Sequence, residues 1–417
     1  MQMNPKIKVN GFNSLPFDDL VGKPNILIDL TNDPCSKLKS VKISDKLKIP
    51  FITASTSKNK GKVMVYTTMS KTERIILSKK GYTQGIDEYL LPDFENCQQG
   101  NITSGLIAGL VTEEIRKSIL KLYDYDKLMK KGVTYNLLSN RRFKDECDIN
   151  LSMTNYLNEK NLFKNKKAAI IGAGSIGNFV GIGLSLMGFD KIYLIDMDEI
   201  EEHNKNRQIA YTLGNYSGKK KIDILSRLMN KINPITKTIG IYGKLGTNLN
   251  KEERRKQVKL INESEFLKLD CDLILGCLDN ISARAFANRL AVKNSIPYID
   301  GGTSPFSGQV RVYSPGKTAC LDCQENIYYQ AIEEQNKQEI SDHCTANDHE
   351  PSVIMSNQII GAAILGEIRT LFYPEVYGQP VMNSILYNSF DRDRLILNRI
   401  KCKPNKDCLC SKKFYDK

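Results

Sequence analysis

A glycine-rich turn is the first feature of this chain whose residue types and spacing could do chemistry. Gly172, Gly174 and Gly177 form a GxGxxG pattern directly after the apolar run 168–171, and an amphipathic helix pattern follows. Glycines at this spacing let backbone N–H groups approach a phosphate at the N-terminus of a helix. The pattern alone is weak evidence, so its surroundings decide between a phosphate site and a plain tight turn.

Two acids follow the glycine turn at the distance that is typical of a nucleotide site. A second apolar run, 191–195, ends at Asp196 and Asp198. An acid about 20 residues after the glycines can bind the hydroxyls of a ribose. Strand, glycine turn, helix, strand and acid in this order favour a nucleotide site, for which NAD would be the usual inference.

The residues after these acids favour a triphosphate over a dinucleotide. The segment HNKNRQ carries Asn204, Arg207 and Gln208, and the segment GKKK ends at Lys221, where a helix is predicted to begin. Two cations near the phosphate-binding turn exceed what a bound dinucleotide needs. They suit a triphosphate whose transition state spreads negative charge. The alternative is that Arg207 and Lys221 are ordinary surface charges.

A further acid, Asp279, lies at the predicted end of the next strand. The run 271–277 is apolar, and Leu-Asp-Asn follows it, so that Asn280 is the neighbour of Asp279. An acid at the C-terminal end of a strand in an open α/β sheet faces the ligand crevice. A carboxylate there could hold Mg²⁺ that bridges phosphates, or it could simply cap the helix that follows.

Cysteines in two close groups predict a metal site. Cys320 and Cys323 form a CxxC pair, and Cys402, Cys408 and Cys410 lie near the end of the sequence. Four thiolates suit a tetrahedral structural zinc site. A redox dithiol is the alternative, and Cys402 could replace a ligand in the second group.

The elements that must position these groups are those of an α/β, Rossmann-like domain. The chain has 417 residues, of which 41% are hydrophobic and 26% charged, and this fits a globular protein with more than one domain. No apolar stretch is long enough for a membrane span, and the first residues lack the core of a signal peptide, so a cytoplasmic protein is expected. The net charge of +13 is spread over scattered lysines, which argues against nucleic-acid binding.

One strand-turn-strand unit occurs twice in the sequence. IPFITASTSKNKGKVMVY at 49–66 and IPYIDGGTSPFSGQVRVY at 296–313 share nine of 18 residues without a gap. The first copy lacks the ligands of the second, because Asn32 aligns with Asp279 and the CxxC pair has no counterpart. The repeat predicts a degenerate half-domain without an ATP or zinc site.

Together the motifs resemble the adenylyltransferase superfamily of ubiquitin-activating enzymes. The matching segments are GAGSIG, DMD, NKNRQ, GKKK, CLDN and PGKTACLDC, in this order over about residues 166–412. This superfamily also contains the bacterial ThiF, MoeB and HesA enzymes and the microcin C enzyme MccB. The resemblance implies MgATP-dependent adenylation of the C-terminal carboxylate of a small ubiquitin-like or sulfur-carrier protein, with release of pyrophosphate. The MccB-like alternative is modification of a ribosomally made peptide, toward which PGKTACLDC leans.

The resemblance also implies a role for each motif residue. In addition to the three glycines, Gln208 and Asn280 are expected to contact the nucleotide. The other implied ligands are Asp196 and Asp198 for ribose; Asn204, Arg207 and Lys221 for the phosphates; Asp279 for Mg²⁺; and Cys320, Cys323, Cys408 and Cys410 for zinc.

Three residues carry roles that rest on the resemblance and on position. Arg141 or Arg142 would supply the arginine that such enzymes usually take from the opposing protomer of a dimer, which implies a homodimer. Cys344, beside His343 in a polar loop, would take part in thioester or sulfur-transfer chemistry. The alternatives are surface arginines and a free loop cysteine.

The predicted organisation has four parts. They are the degenerate half-domain at 1–125, a linker at 126–150, a ThiF-type ATP-binding adenylation domain at 151–380, and a segment at 381–417 that completes the zinc site. The first part could occupy the place of the inactive domain that eukaryotic ubiquitin-activating enzymes pair with an active one, or it could dock the substrate. A non-catalytic peptide-binding partner and an NAD-dependent enzyme are the remaining alternatives.

Overall fold

A computed structural model of the protein describes most of the chain, and the statements below concern that part. Arg141, Arg142, Cys344 and Cys402 lie outside the described residues, so their predicted roles stay predictions. The described ranges are 24–31, 34–56, 60–66, 101–120, 133–136, 143–144, 162–333, 353–377, 384–389, 396–399 and 403–411.

The chain divides into two compact units, each with its own sheet. The first unit comprises Met1–Met153 and Ser389–Leu395, and the second comprises Thr154–Asn388 and Ile396–Lys417. The sheet of the first unit has five strands in the order β1-β2-β3-β4-β5. Its described elements are β1 (Leu27–Asp29), α1 (Pro34–Leu47), β2 (Phe51–Thr56), β3 (Lys60–Tyr66), α2 (Asn101–Leu120), β4 (Val133–Asn136) and β5 (Phe143–Lys144).

The second unit contains a nine-stranded mixed sheet, in the order β14-β13-β12-β11-β10-β6-β7-β8-β9. The strands are β6 (Lys167–Ile171), β7 (Lys191–Asp196), β8 (Lys237–Leu245), β9 (Lys259–Ile261), β10 (Leu273–Gly276), β11 (Tyr298–Thr303), β12 (Ser307–Tyr313), β13 (Ser384–Asn388) and β14 (Ile396–Arg399). The α-helices are α3 (Ser175–Met187), α4 (Lys221–Ile232), α5 (Lys251–Arg255), α6 (Glu263–Leu267), α7 (Ile281–Asn294), α8 (Leu321–Glu325), α9 (Ile354–Phe372) and α10 (Pro374–Tyr377).

The parallel half of the second sheet brings the polar turns of the sequence to one edge. β10, β6 and β7 are adjacent and parallel, so Gly276, Ile171 and Ile195 lie side by side at their carboxyl ends. The four residues of β10 are all buried, as expected for the centre of a sheet covered on both faces. The α/β fold that the motifs predict is therefore confirmed, and the sheet aligns the segments that follow β6, β7 and β10.

The segment 126–150 differs from the irregular linker that its charged composition suggests. It contains β4 and β5, which continue the first sheet beyond residue 125. Short strands of this kind owe their stability to pairing with a neighbour, here β3 with β4, more than to their own sequence pattern. Composition alone therefore missed them.

The repeated segments pair in the same register in both sheets. In each copy a parallel strand pair is followed by an antiparallel pair, and the aligned residues have aligned partners. The matching pairs are Leu27–Phe51 and Ile274–Tyr298 for the parallel strands, and Phe51–Tyr66 and Tyr298–Tyr313 for the antiparallel strands.

The helix that covers each repeat also packs in the same way. A Cβ added at Gly61 of β3 would lie 2.3 Å from the Ile107 side chain of α2, and a Cβ at Gly308 of β12 would lie 2.5 Å from the Ile360 side chain of α9. A real Cβ does not come this close, so both glycines allow a helix to approach the sheet. The likeness of the two copies thus extends from sequence to register and helix packing.

Membrane-spanning character is absent from the described helices. Each of them is too short or too polar to cross a bilayer.

Candidate nucleotide-binding site

The glycine turn joins β6 to α3 and lies against the end of β10. Gly172 has a φ of +99°, and a Cβ there would meet the Cys277 carbonyl oxygen at 2.4 Å. A Cβ at Gly177 would meet the Gly172 carbonyl oxygen at 2.1 Å, whereas one at Gly174 would enter open space. The first and third glycines are therefore needed for the turn itself. The second leaves room at the start of α3, where a ligand phosphate could approach backbone N–H groups.

Asp196 fixes the glycine turn to the end of β7. Its Oδ2 accepts a hydrogen bond from the Ala173 amide at 2.6 Å, and its Oδ1 accepts one from the Asp198 amide at 2.7 Å. Burial, with the negative charge of Asp198 as a second cause, raises the pKa of the Asp196 carboxyl to about 6. This carboxyl therefore changes charge in a pH range that is accessible to experiment.

Lys221 and Asp198 form an ion pair beside that carboxyl. The Lys221 Nζ lies 2.7 Å from Asp198 Oδ2, and the Lys221 amide donates to the Asp198 carbonyl at 3.0 Å. The lysine side chain is 9% exposed and the aspartate side chain 55% exposed, so the aspartate faces solvent while the lysine is held inside. Lys221 is the first residue of α4, which places a cation close to the acids after β7.

The loop after β7 uses its polar side chains in different ways. Asn204 is buried, and its Oδ1 accepts from the Glu201 amide at 2.9 Å, so it shapes the loop. Arg207 donates to the His203 carbonyl at 3.1 Å and to Asn206 Oδ1 at 2.9 Å, and these bonds stay within its own loop.

Gln208 is the unusual member of this loop. It is only 3% exposed, and its Oε1 accepts no hydrogen bond from the described residues. A buried amide oxygen without a donor costs about 1–3 kcal/mol, which a ligand donor could offset. Gln208 therefore stays a candidate for nucleotide contact.

Two residues outside the sequence motifs clamp the glycine turn. Asn178 of α3 donates to the Ala173 and Gly174 carbonyls at 3.0 and 2.8 Å and accepts from the Ala210 amide at 2.8 Å. The Tyr211 hydroxyl donates to the Ala173 carbonyl at 2.6 Å, and burial raises the pKa of this phenol. The signal for Asn178 was a polar residue inside an otherwise apolar helix. No pattern pointed to Tyr211.

Asp279 lies just beyond the end of β10, the strand that pairs with β6. The Cys277 amide donates to the Ile171 carbonyl at 2.8 Å, which holds the end of β10 against the glycine turn. The cap of α7 is Asn280, whose Oδ1 accepts from the Ala283 amide at 2.8 Å. Asp279 is exposed. The capping role considered for Asp279 thus belongs to its neighbour.

The four predicted cysteine ligands lie together in the second unit. The sulfurs of Cys320, Cys323, Cys408 and Cys410 all lie within 4.8 Å of one another, and none is in a disulfide. The Sγ–Sγ distances are 3.6 Å for Cys320–Cys408 and for Cys323–Cys410. Sulfurs 2.3 Å from a tetrahedral zinc would be separated by about 3.8 Å. The described cluster is therefore of the right type and size for a metal ion.

Comparison with known proteins decides the family. Residues 148–411 match the ThiF family, and this span is more than half of the chain. The chain belongs to the ThiF family. The resemblance drawn from the motifs is thereby confirmed, and the ThiF match covers the glycine turn, the acids, Asp279 and the cysteine cluster.

Several activating enzymes are similar to this ThiF-family chain. SUMO-activating enzyme subunit 2 of Dictyostelium discoideum is 35% identical over 158 residues, which are 38% of this chain and 22% of that protein. Ubiquitin-like modifier-activating enzyme 5 of Drosophila mojavensis is 30% identical over 176 residues, 42% of this chain and 43% of that protein. The chain thus matches less than half the length of these curated relatives.

Solved structures of MccB also align with the ThiF-family chain. The crystal structure of E. coli MccB with ATP has a TM-score of 0.46 and 23% sequence identity, and the alignment covers 60% of this chain and 68% of that one.

Proposed function

We propose that this ThiF-family protein uses MgATP to adenylate the C-terminal carboxylate of a small ubiquitin-like or sulfur-carrier protein. One observation carries the proposal: the glycine turn, the acid pair with Lys221, and Asp279 follow three adjacent parallel strands at the same edge of the sheet. The names of the similar activating enzymes support the same class of reaction.

The proposed reaction joins two anions, which explains the need for cations. A carboxylate oxygen of the substrate forms a bond to the α-phosphorus, and the bond from that phosphorus to the bridging oxygen of pyrophosphate breaks. Lys221, released from Asp198, and Arg207, turned out of its own loop, would offset the repulsion between the two anions. Asp279 would hold Mg²⁺, which supplies charge stabilisation for the departing pyrophosphate.

The remaining side chains would bind and orient the nucleoside. Asp196 already holds the glycine turn through one oxygen and faces the strand edge where a ribose would lie. Asn204 and Gln208 would contact the phosphates or base from the loop after β7, the latter through its unpartnered oxygen. No side-chain nucleophile is required for this step.

We assign the cysteine cluster to zinc. Four thiolates at this separation select zinc and close the coordination shell, which makes the site structural. The backbone amide of Asn405 lies 3.2 Å from the Cys323 sulfur and would stabilise a thiolate there.

We also propose that the first unit is a degenerate copy of the second half of the ThiF-type domain. Support comes from the shared strand register and from the matching contacts of Gly61 with Ile107 and of Gly308 with Ile360. In this proposal the half-domain spans about 1–125, and its sheet continues through β4 and β5 in the segment 126–150. The adenylation domain spans 151–380 and the zinc-completing segment 381–417. The protein would act as a homodimer to which Arg141 or Arg142 contributes.

Exchange of radiolabelled pyrophosphate into ATP tests the reaction and the substrate class together. The full chain is assayed with proteins that end in Gly-Gly, with short ribosomal peptides, and without an acyl partner. We expect exchange only with a Gly-Gly protein, and an Asp279→Asn variant should lose it by about 10²–10³-fold. Asp272→Asn on the same strand's other end is the matched control and should retain it.

Each other outcome of that assay is informative. Exchange with peptides alone would replace the protein substrate by the peptide alternative. Tight binding of NADH without any exchange would contradict adenylation. An Asp279→Asn variant as active as the unaltered protein would remove Asp279 from the site. Absence of exchange with every partner, and of NADH binding, would favour the non-catalytic peptide-binding role.

A further inference from the structure

The cysteine cluster and the nucleotide site are joined by one helix. α7 begins directly after Asp279 and Asn280, and its buried face carries Arg284 and Asn288, one turn apart. Both side chains reach α8, the short helix that starts right after Cys320 and contains Cys323. The two sites are therefore connected through the side-chain contacts between α7 and α8.

Arg284 holds the end of α8 and the neighbouring strand at once. Its Nε lies 3.1 Å from each carboxylate oxygen of Asp300 in β11, and its Nη2 also contacts that carboxylate. The same Nη2 donates to Glu325 Oε1 at 3.0 Å. Asp300 is fully buried, and Arg284 is 9% exposed. A buried guanidinium cannot lose these acids without a large cost, so α7 must follow any movement of Glu325.

Asn288 holds the start of α8. Its Oδ1 accepts from the Leu321 amide at 2.9 Å, and its Nδ2 donates to the Tyr328 hydroxyl at 3.1 Å. Asn288 is fully buried. Since Leu321 adjoins Cys320, this bond links α7 to the residue next to a predicted metal ligand.

Apolar packing makes the connection continuous. Cys320 and Cys410 belong to the same buried cluster as Ala287 and Ala291 of α7. A cation bound to the four sulfurs would hold the CxxC turn, and with it α8 and α7, in one arrangement.

We propose that Arg284 and Asn288 are positioning residues that couple occupancy of the cysteine cluster to binding of MgATP at Asp279. This coupling rests on the proposed function, because it requires that Asp279 faces the nucleotide. Coupling of two sites is reciprocal in binding free energy, so MgATP must also raise the affinity of the cluster for the metal. A merely structural role of α7 would not produce that effect.

The test measures the zinc affinity of the full chain. Equilibrium competition with a chromogenic chelator reports this affinity with and without a non-hydrolysable ATP analogue and Mg²⁺. We expect the analogue to raise the zinc affinity about tenfold in the unaltered protein, and to have no effect in Asn288→Ala. Asn294→Ala is the matched control, since Asn294 lies on α7 but bonds to Glu263 and the Leu290 carbonyl, and it should keep the tenfold effect.

A second variant tests the same coupling in case Asn288→Ala does not fold. Arg284→Lys keeps the buried positive charge but cannot bond Asp300 and Glu325 together, and it too should lose the analogue's effect on zinc affinity. Equal tenfold effects of the analogue in all four proteins would overturn the role of Arg284 and Asn288. No effect in the unaltered protein, with the analogue bound, would overturn the coupling itself. If the unaltered chain binds no MgATP analogue by calorimetry, the proposed function fails together with the coupling.

Discussion

Each unit pairs a buried cation with a carboxylate, but this carboxylate lies on a different strand in each unit. In the second unit the buried cation is Arg284, and its acid is Asp300 on β11. In the first unit the aligned cation is Lys37, whose acid is Asp29 on β1, at 3.8 Å. A threonine, Thr53, takes the place of Asp300 and accepts from Lys37 at 2.7 Å.

The space for a side chain on the first parallel strand explains why the acid lies on different strands in the two units. Gly276 aligns with Asp29, and a Cβ at Gly276 would lie 2.3 Å from the Tyr298 hydroxyl and 2.8 Å from Asp300 Oδ1. The first unit has Phe51 where the second has Tyr298, so the hydroxyl is missing. It also has the shorter Thr53 where the second unit has Asp300. Room for an acid on β1 therefore exists only in the first unit.

The turn after this strand also differs between the units. In the first unit its acid bonds to groups of the turn itself, whereas in the second unit the acid remains exposed. Asp29 accepts bonds from the Thr31 amide at 2.8 Å and from the Ser36 hydroxyl at 2.8 Å. Burial raises the pKa of Asp29, but these bonds and Lys37 outweigh it and leave the pKa below its usual value. In the second unit, Gly276 leads instead to Asp279, which is exposed and leaves the helix cap to Asn280.

The largest expected effect comes from breaking the ion pair of the first unit. Asp29→Ala leaves the Lys37 ammonium buried without its acid, so the free energy of unfolding of that unit should fall by about 3–5 kcal/mol. Denaturant unfolding monitored by hydrogen exchange in 24–66 measures it. Asp29→Gly with Thr53→Asp rebuilds the arrangement of the second unit and should recover more than half of the loss. No recovery would contradict the equivalence of the two units.

A smaller effect is expected at the clamp of the glycine turn in the second unit. Asn178→Ala removes three hydrogen bonds and takes the side-chain acceptor from the Ala210 amide, so stability should fall by about 2 kcal/mol and MgATP affinity about tenfold. Calorimetry checks the affinity. Asn230→Ala removes bonds to Thr238 away from the turn and should leave the affinity unchanged. Equal affinities in both variants would show that the clamp does not shape the ligand site.

The smallest expected effect is a pH dependence confined to the second unit. Because the pKa of Asp196 is raised to about 6, its carboxyl is neutral below that pH and a poorer acceptor for ribose hydroxyls. Affinity for adenosine, which has no phosphate of its own to titrate, should fall about tenfold from pH 7.5 to pH 5.

The same raised pKa has a definite sign for stability. The folded state binds the proton more tightly than the unfolded chain, so this group's contribution to stability increases as pH falls from about 6 toward the ordinary value of 3.8. Asp198→Asn removes the second cause of the shift and should move the midpoint of adenosine binding to lower pH. A midpoint that stays at 6 in this variant would contradict the assigned cause.

Sequence patterns predicted the second unit well because its chemistry depends on local spacing. The glycine turn, the acids after β7 and the cysteine pairs each occupy a few neighbouring residues, and the sheet only brings them together. Contacts made by single polar residues were not predictable. Tyr211, Arg284 and Asn288 act through partners that are distant in sequence, as Asn178 does through the Ala210 amide, and nothing in their local pattern reveals those partners.

The first unit was predicted through its likeness to the second. Its repeat indicated the strands, but not the position of the acid on β1 instead of β2, which depends on a hydroxyl that Phe51 lacks. The strands β4 and β5 were not predicted, because four and two residues are too few to form a recognisable alternating apolar pattern.

Titration of MgATP into the full chain tests most directly whether nucleotide chemistry belongs to the second unit alone. We predict one bound nucleotide per chain, an affinity for MgATP at least tenfold weaker in Lys221→Met, and an unchanged affinity in Asp29→Asn. Two nucleotides per chain, or loss of binding in Asp29→Asn with binding retained in Lys221→Met, would contradict it.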